Sequence, residues 1–322
     1  MSFNSLSQKP RKDRRNTLLV SRWPTVSICL ILALQMIGCK SHDPRDVNDP
    51  TLRVMSYNLR VANVGDTLTG RSWRSRRGDA MKLIKAYDPD LMGTQEGKHS
   101  QVKYVGKKLK WYDMHGAGRN NGKNSGEFCA IYYRTIRFTA KDAGHLWFND
   151  AGKPGKRTWG SVFPRMASWV LLDDAFTGHT LLAVNTHLDV LSSDSRERSA
   201  TMIRELIDQH PDAYVVVTGD FNCAVGSKPF RILTGGRNIR GQRRLIDTYT
   251  AAGHKNGKKD GTHNSFRGKK SGDRIDWILI SPKIKVLAAD IIRDKPMLDG
   301  YPSDHYPVTA DLRLPKGKSA GE

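Results

Sequence analysis

The sequence predicts an α/β protein in which two β-sheets pack together in one domain and helices lie outside them. Many β-prone segments alternate with a few helical ones, and 38% of the 322 residues are hydrophobic. Such a composition can bury a large core, which excludes a disordered chain. Only one apolar run is long, so a protein with several membrane spans is also excluded.

The predicted elements follow from the period of the apolar residues. Strands are predicted where apolar and polar residues alternate or where β-branched and aromatic residues cluster. These segments are 52–59, 90–94, 128–134, 168–172, 180–186, 214–218, 275–280, 285–292 and 308–314. Apolar residues three or four positions apart predict helices at 72–87 and 196–209, and a further helix is expected at 99–109. A glycine-rich segment at 116–126 and a basic segment at 147–165 are predicted to be loops.

The first forty residues are typical of an export segment. Six basic residues precede an apolar stretch from Thr25 to Ile37. The stretch is short for a membrane-spanning helix and fits the apolar region of a signal peptide. Its end, Met36-Ile37-Gly38-Cys39, resembles a bacterial lipoprotein processing site, in which the cysteine is lipidated and becomes the new N-terminus. An ordinary signal peptide or an uncleaved anchor is the alternative.

We therefore predict a signal peptide at 1–38, a polar tether at 39–51, one folded domain at 52–315 and a flexible tail at 316–322. The protein is expected to be exported to a bacterial periplasm or cell envelope and to contact a membrane through a lipid on Cys39. The sequence indicates no protein partner. Cys129 and Cys223 lie in no metal-binding or redox motif, and whether they form a disulfide stays open.

The chain is strongly basic. It contains 53 Lys and Arg against 32 Asp and Glu, a formal net charge of +21. Removal of residues 1–38 leaves 47 against 31, a net charge of +16, so the basicity belongs to the folded part. This charge favours anionic partners such as nucleic acid or phosphorylated small molecules. Because the lysine runs are scattered, a solvated surface is the alternative interpretation.

Polar residues at the ends of predicted strands are the candidates for chemistry. Asp220 and Asn222 follow a buried strand, and alternation along an extended chain predicts that they lie on the same side. A turn after the strand explains the same pair. Asp276 lies inside an apolar strand, where an unpaired carboxylate is costly, so it needs a partner. We predict a hydrogen bond between Asp276 and His305, which is 29 positions away.

Four further polar residues are weak signals when each is taken alone, because a solitary buried polar residue is usually a satisfied part of the core. They are Asn58, Glu96, His187 and Asp304. Together with the residues above they form the ordered blocks SYNLR, GTQE, NTHL, GDFN, RIDWIL and SDHYPV, from Met55 to Val308. The ordered set resembles the endonuclease/exonuclease/phosphatase superfamily of metal-dependent phosphohydrolases. The segments GEFCAIYYR and PRMASW resemble its bacterial deadenylase-like branch.

The resemblance implies a four-layer α/β sandwich with two packed, mostly antiparallel sheets flanked by helices. It implies Mg²⁺ or Mn²⁺ as the cofactor, because carboxylate and amide oxygens suit these ions better than zinc. By this resemblance Glu96 and Asn58 form the main metal site, and Asp304 is an additional ligand. Glu127 and Arg165 lie near the active site as substrate contacts, although a structural ion pair or a surface loop explains them equally well.

The resemblance also assigns catalytic roles. Asp220 aligns or deprotonates the attacking water, and Asn222 holds the phosphate. His187 donates to the phosphoryl oxygens in the transition state. His305, oriented by Asp276, is either the general base or a phosphate contact.

We expect a divalent-metal-dependent phosphodiester hydrolase, most consistent with a lipid-anchored nuclease that acts on DNA or RNA. A phosphomonoesterase, or a phosphodiesterase of lipid or inositol headgroups, is the alternative on the same fold. A binding protein without catalysis is disfavoured because none of the expected catalytic positions is missing from the sequence.

Overall fold

The computed structural model describes residues 46, 48–235, 244–293 and 300–315. The predicted signal peptide, Cys39 and the tail lie outside the described residues, as does most of the tether. In the part of the chain that is described, no helix has the length and apolar character needed to cross a membrane.

Twelve strands are present in the described ranges. In chain order they are β1 (Thr51–Asn58), β2 (Leu91–Lys98), β3 (Tyr112–His115), β4 (Glu127–Arg134), β5 (Phe138–Trp147), β6 (Met166–Asp174), β7 (His179–His187), β8 (Tyr214–Asp220), β9 (Ile246–Asp247), β10 (Asp276–Ile280), β11 (Lys285–Ile291) and β12 (Val308–Arg313). The helices are α1 (Val64–Leu68), α2 (Trp73–Tyr87), α3 (His99–Lys108), α4 (Ser193–Asp208), α5 (Lys228–Thr234) and α6 (Thr248–Ala251).

The strands form two six-stranded sheets. The order in the first is β11-β12-β1-β2-β4-β3, and the order in the second is β5-β6-β7-β8-β10-β9. Only β1 with β2 and β7 with β8 pair in parallel among the described strands, and the other pairs are antiparallel. The predicted architecture of two mostly antiparallel sheets is therefore confirmed.

The hydrophobic residues divide into layers. One cluster fills the space between the sheets and includes Val54, Val216 and Ile278. A second joins α4 to the outer face of the second sheet, and a third joins α2 and α3 to the outer face of the first sheet. Each of these helices therefore buries one apolar stripe against a sheet, which produces the four-layer α/β sandwich.

The structure differs from the sequence prediction mainly at the sheet edges. The predicted short strand at 90–94 continues through Glu96 to Lys98 as β2. Strand β5 was not predicted, because it is a largely exposed edge strand in which a bulge between Ala140 and Asp142 breaks the alternation. The two-residue β9 and four-residue β3 are too short to leave a periodic signal.

The two sheets approach each other closely at Gly93, in β2. A Cβ atom at this position would lie 2.0 Å from Thr218 Oγ1 and 2.6 Å from Asn185 Oδ1, both on the opposite sheet. Neither side chain can move away freely, because both are buried and hydrogen-bonded to each other. The absence of a side chain at Gly93 therefore sets the distance between the sheets.

We predict that Gly93→Ala lowers the free energy of unfolding by about 3 kcal/mol or more, since the added methyl group forces the sheets apart. Gly78→Ala is the matched control. Gly78 is exposed on α2, and no atom lies within 4 Å of the place that its methyl group would take, so alanine should stabilise the helix by about 1 kcal/mol. Denaturant titration of both variants measures the difference. Equal stabilities for the two variants would contradict the assigned role of Gly93.

Candidate active site

The candidate residues meet at one end of the paired sheets. Asn58 is the last residue of β1 and Glu96 lies near the end of β2, so the first sheet contributes both from parallel strands. His187 and Asp220 end the parallel strands β7 and β8 of the second sheet. Strand β10 runs antiparallel to β8, and its first residue, Asp276, is therefore paired with Asp220.

Asp220 is the centre of the site. Its Oδ2 accepts a hydrogen bond from Asn58 Nδ2 at 3.0 Å. The same oxygen lies 3.7 Å from His187 Nε2 and 3.8 Å from His305 Nε2. Burial, with a further contribution from the charge of Asp276, raises the pKa of Asp220 to about 7. A carboxylate with such a pKa can accept a proton from a nearby donor near neutral pH.

Asp276 and His305 form the hydrogen bond that the sequence predicts. Their Oδ2 and Nδ1 atoms are 2.9 Å apart, and both side chains are buried. Burial alone would lower the pKa of His305, but the carboxylates of Asp276, Asp220 and Asp304 outweigh it and hold the pKa well above its usual value. The His305 imidazole is therefore a cation that donates to Asp276 through Nδ1 and faces Asp220 with Nε2.

His187 has the opposite electrostatic surroundings. Burial lowers its pKa well below the usual value, and the positive charges of Arg165, Arg119 and His305 lower it further. The ring is therefore neutral at pH 7, next to a cationic histidine. Its Nδ1 has no hydrogen-bond partner among the described residues.

Glu96 is held by neighbouring polar groups. Its Oε1 accepts from Asn58 Nδ2 at 3.1 Å, and its Oε2 accepts from the amide of Val61 at 2.9 Å. Glu96 has a backbone φ of 62° and Arg60 one of 56°, which non-glycine residues seldom adopt. Such strained positions are typical of functional sites whose surroundings impose the conformation.

The donor atoms around Glu96 fit a divalent cation. One possible ligand atom from each of three residues, Glu96, His187 and Asp220, lies within 4.8 Å of the other two. The carboxylates of Glu96 and Asp220 share one neutral amide, that of Asn58, and neither forms an ion pair with a lysine or arginine in the described residues. This excess of negative charge fits a hard cation with oxygen ligands.

Asn58 contacts both carboxylates through its nitrogen, while its Oδ1 accepts from the amide of Arg60 at 2.9 Å. In this orientation Asn58 positions the carboxylates. Direct ligation of a metal, as the sequence analysis expects, would require the amide to turn over so that its oxygen faces Glu96.

Asp304 lies in the same cleft but has other neighbours. Its Oδ2 is 3.3 Å from an Arg60 guanidinium nitrogen and 3.7 Å from His263 Nε2. Burial would raise the pKa of Asp304, but hydrogen bonding to His263 and the nearby positive charges lower it, so the carboxylate is ionised. Ligand atoms of His263, Asp304 and His305 also lie within 4.8 Å of one another.

Asn222 does not continue the strand alternation from which its position was predicted. The strand ends at Asp220, and Asn222 has a φ of 50°, so the chain turns instead of continuing as an extended strand. The Asn222 side chain donates to the carbonyl of Leu188 at 3.0 Å, and its backbone amide donates to Asp220 Oδ1. Asn222 nevertheless lines the cleft.

The cleft has a volume of about 560 Å³. Glu127 and Arg165 both line it, and each forms an ion pair, the structural alternative that the sequence left open. Glu127 is paired with Arg119 at 2.8 Å, and Arg165 with Asp189 at 3.5 Å. The basic loop at 147–165 contributes only Phe163 and Arg165 to the lining, so its other basic residues do not cover the site.

Several cleft residues were not found from the sequence. They are Arg60, Arg119, Phe163, His263 and Lys269. All five lie in loops, where no period marks one face. Arg119 and Glu127 are eight positions apart, across a turn that contains two glycines, and this short separation was an available signal.

Arg76 connects the loops that carry the site. It extends from α2, is buried, and donates to the carbonyls of Leu59 at 2.5 Å, Arg60 at 2.6 Å and Pro302 at 3.0 Å. The first two carbonyls follow Asn58, and the third precedes Asp304. From the sequence, Arg76 was expected to coat the surface of this helix with Arg74 and Arg77, because nothing in its local sequence distinguishes it from them; the structure buries it instead.

The sequence from Met55 to His305 shows the family of the chain. A sequence model described as the Endonuclease/Exonuclease/phosphatase family matches residues 55–305. The chain belongs to the endonuclease/exonuclease/phosphatase family. It is therefore a metal-dependent phosphoester hydrolase, as expected from the ordered motifs.

Solved structures support this membership. An endonuclease/exonuclease/phosphatase family protein from Bacteroides thetaiotaomicron is 30% identical with a TM-score of 0.74, and the match covers 82% of this chain and 98% of that one. A mannosyl-6-phosphatase from the same organism is also 30% identical with a TM-score of 0.74, over 82% of this chain and 100% of that one.

More distant structures share the fold. D. rerio TDP2, solved with a single-stranded DNA product, is 19% identical with a TM-score of 0.61, and the match covers 83% of this chain and 100% of that one. No curated protein sequence matches the chain.

We predict that Asp276→Asn and His305→Asn each lower kcat by about 10²- to 10⁴-fold, because each removes one half of a hydrogen-bonded unit. The double variant should be little slower than either single variant, since residues that act as a unit are non-additive. Steady-state kinetics on one phosphoester measures all three. Asp194→Asn, at an exposed ion pair with Arg198, is the control. If the fold-loss in kcat of the double variant equals the product of the two single-variant losses, Asp276 and His305 do not act as one unit.

Proposed function

We propose that the protein hydrolyses phosphate monoesters with Mg²⁺ or Mn²⁺ as cofactor. The proposal of hydrolysis rests on one observation: the side chains of Asn58, His187 and His305 all approach the carboxylate of Asp220. The preference for these ions rests on the oxygen donors, because carboxylates suit hard cations.

The charges favour Asp220 over His305 as the group that accepts the proton. The carboxylates of Asp276 and Asp220 raise the pKa of His305, which favours the protonated ring, and this charge can stabilise a phosphoryl oxygen. Asp220 forms no ion pair with a lysine or arginine of the described chain and can accept the proton of a water held near it. Neutral His187 is a candidate hydrogen-bond donor to the phosphoryl group.

The cation would be held by Glu96, with Asp220 and Asp304 as further candidate ligands in the cleft. Bound there, it would neutralise phosphate charge and make an attacking water more acidic. Asn58 would keep the carboxylates of Glu96 and Asp220 in place, because it bonds to both.

We predict that Glu96→Gln lowers metal affinity and kcat/KM by about 100-fold or more, since loss of a residue that only supports a ligand already costs about 10- to 100-fold. Glutamine keeps the size and removes the anionic oxygen. Metal titration of the activity after EDTA treatment measures the shift. Glu197→Gln, at an ion pair with Lys228 outside the cleft, is the matched control. Full wild-type activity in EDTA would rule out the metal assignment.

Monoesters are favoured over nucleic acid because the arginines of the cleft are already paired. Arg60 lies within 3.3 Å of Asp304, and Arg119 and Arg165 have carboxylate partners at 2.8 Å and 3.5 Å. Among the cleft-lining residues, Lys269 is a cation with no carboxylate within ion-pair distance in the described part of the chain. A polyanion gains affinity from free cations. The similarity to a mannosyl-6-phosphatase supports the same conclusion.

A nuclease is the second candidate, and the net charge of +21 favours it. The two functions differ in salt dependence. A single-stranded nucleic acid that contacts several basic residues should bind with a slope of about −0.7 per contact in log affinity against log salt. A monoester contacts few cations and should depend weakly on salt.

We predict higher kcat/KM on p-nitrophenyl phosphate than on its bis-p-nitrophenyl diester in Mg²⁺, with no cleavage of single-stranded DNA or RNA. The reason is the neutralised arginines, which leave little free positive charge for a chain of phosphates. The diester and nucleic acid assays, repeated at two salt concentrations, provide the test. If the diester is hydrolysed faster than the monoester and nucleic acid binding weakens steeply with salt, the protein is a nuclease and not a monoesterase.

We also propose that the protein is exported and anchored through a lipid on Cys39, with residues 1–38 removed and residues 39–51 as tether. The support is the basic and apolar pattern before Cys39. Expression in a bacterium with labelled palmitate should label the wild type and not Cys39→Ala. A mature N-terminus at another residue would refute the anchor.

A further inference from the structure

We infer that Arg119, Glu127, Phe163 and Arg165, here called the leaving-group wall, form a subsite for a hydroxyl-rich ring, such as a hexopyranose, that carries the phosphate. This inference rests on the proposed monoester hydrolysis and names its substrate class. The four residues line the same cleft as Asp220 and His305.

Together with the buried Asp189 beside it, the leaving-group wall carries almost no net charge. Arg119 binds Glu127 through two nitrogen–oxygen contacts, at 2.8 Å and 2.9 Å, and Asp189 lies 3.5 Å from Arg165. Two positive and two negative groups therefore cancel. Such a surface does not compete with the metal site for the phosphate, and the Glu127 carboxylate would repel a second phosphate group.

The same ion pair can bind hydroxyl groups. Glu127 is 19% exposed at its side chain and provides carboxylate oxygens as acceptors, while Arg119 provides guanidinium N–H donors beside them. A hydroxyl group both donates and accepts, so neighbouring hydroxyls of a sugar can bond to both members of the pair. Because the pair is formed before the ligand arrives, little side-chain entropy is lost on binding.

Phe163 supplies the apolar part of the wall. It is 47% exposed, although it lines the cleft. The Arg119 guanidinium lies 5.0 Å from the ring centroid and that of Arg165 lies 5.8 Å away, so two cations support the ring. A pyranose has apolar C–H faces, and an exposed aromatic ring can bury one of them.

Val190 extends this apolar surface. It is 48% exposed and lines the cleft with Phe163. An exposed apolar patch within a charged cleft would be solvated at a cost unless a ligand covered it. The combination of donors, acceptors and an apolar face matches a sugar better than a short alkyl group, which lacks the hydroxyls, or a second phosphate, which Glu127 would repel.

The test compares a hexose 6-phosphate with ethyl phosphate in Mg²⁺. Both release a primary alcohol from a phosphate monoester, so the chemistry is matched and only the hydroxyl-rich ring differs. The wild type should prefer the hexose 6-phosphate by about 100-fold or more in kcat/KM, because buried polar groups discriminate strongly for the hydroxyls they bind. Phe163→Leu and Glu127→Gln should each reduce this preference by about tenfold.

Two control variants carry the same substitutions outside the cleft. The Arg137 guanidinium lies 5.1 Å from the Phe176 ring centroid, and Glu197 pairs with Lys228, so Phe176→Leu and Glu197→Gln should leave the preference unchanged. Thermal unfolding of each variant checks the fold. The half-exposed position of Phe163 keeps the test valid if Glu127→Gln proves unstable.

Three outcomes overturn the inference. Equal wild-type kcat/KM for the two monoesters would refute the subsite. Variants of the leaving-group wall that prefer the hexose 6-phosphate as strongly as the control variants do would also refute it. Either result leaves monoester hydrolysis intact. Hydrolysis of bis-p-nitrophenyl phosphate without hydrolysis of either monoester refutes the proposed function and the subsite together.

Discussion

The active site depends on the fixed distance between the two sheets, and the side chain of Asn185 holds that distance. Its Nδ2 donates to the carbonyls of Thr94 at 2.8 Å and Ala130 at 3.0 Å, across the sheet interface. Its Oδ1 accepts from Gln95 at 2.7 Å and from Thr218 at 3.1 Å. The buried amide is thus fully hydrogen-bonded, and each partner left unpaired would cost about 1–3 kcal/mol.

The importance of this distance follows from the origin of the catalytic groups. Glu96 belongs to the first sheet and Asp220 to the second, yet both bond to the same Asn58 nitrogen. Glu96 directly follows Gln95, one of the partners of Asn185. A shift of one sheet would therefore separate the carboxylates that the proposed cation requires, and Gly93 keeps the approach free of steric conflict.

The sequence predicted the interior of the fold better than its edges. Central strands such as β8 are buried on both faces and consist of continuous β-branched runs, while the edge strand β5 has no regular period. The bond from Asp276 to His305 was predictable because a buried carboxylate needs a donor. The ordered motifs also identified the residues that meet at the strand ends.

Residues in loops were harder to predict, because their positions depend on the folded chain as a whole. His263 lies beside Asp304, and a backbone bridge that joins it to His305 holds it there. Arg76 shares its sequence context with surface arginines, and only the loops around it make it buried. Asn222 departed from strand alternation because the chain turns directly after Asp220. The contacts that place His263 and Arg76 in the site are made with segments distant in sequence.

The strand order has a consequence for the time at which the enzyme becomes active. Strand β1 lies between β2 and β12, so the first of the described strands pairs with the last of them. The carbonyl of Pro302, which Arg76 binds across 226 positions, belongs to the same final segment as Asp304 and His305. Contacts so distant in sequence are slow to form, because the entropy of closing a long loop opposes them. Until this segment packs against β1 and α2, the chain has neither a closed first sheet nor a complete cleft, so the site is completed only at the end of folding.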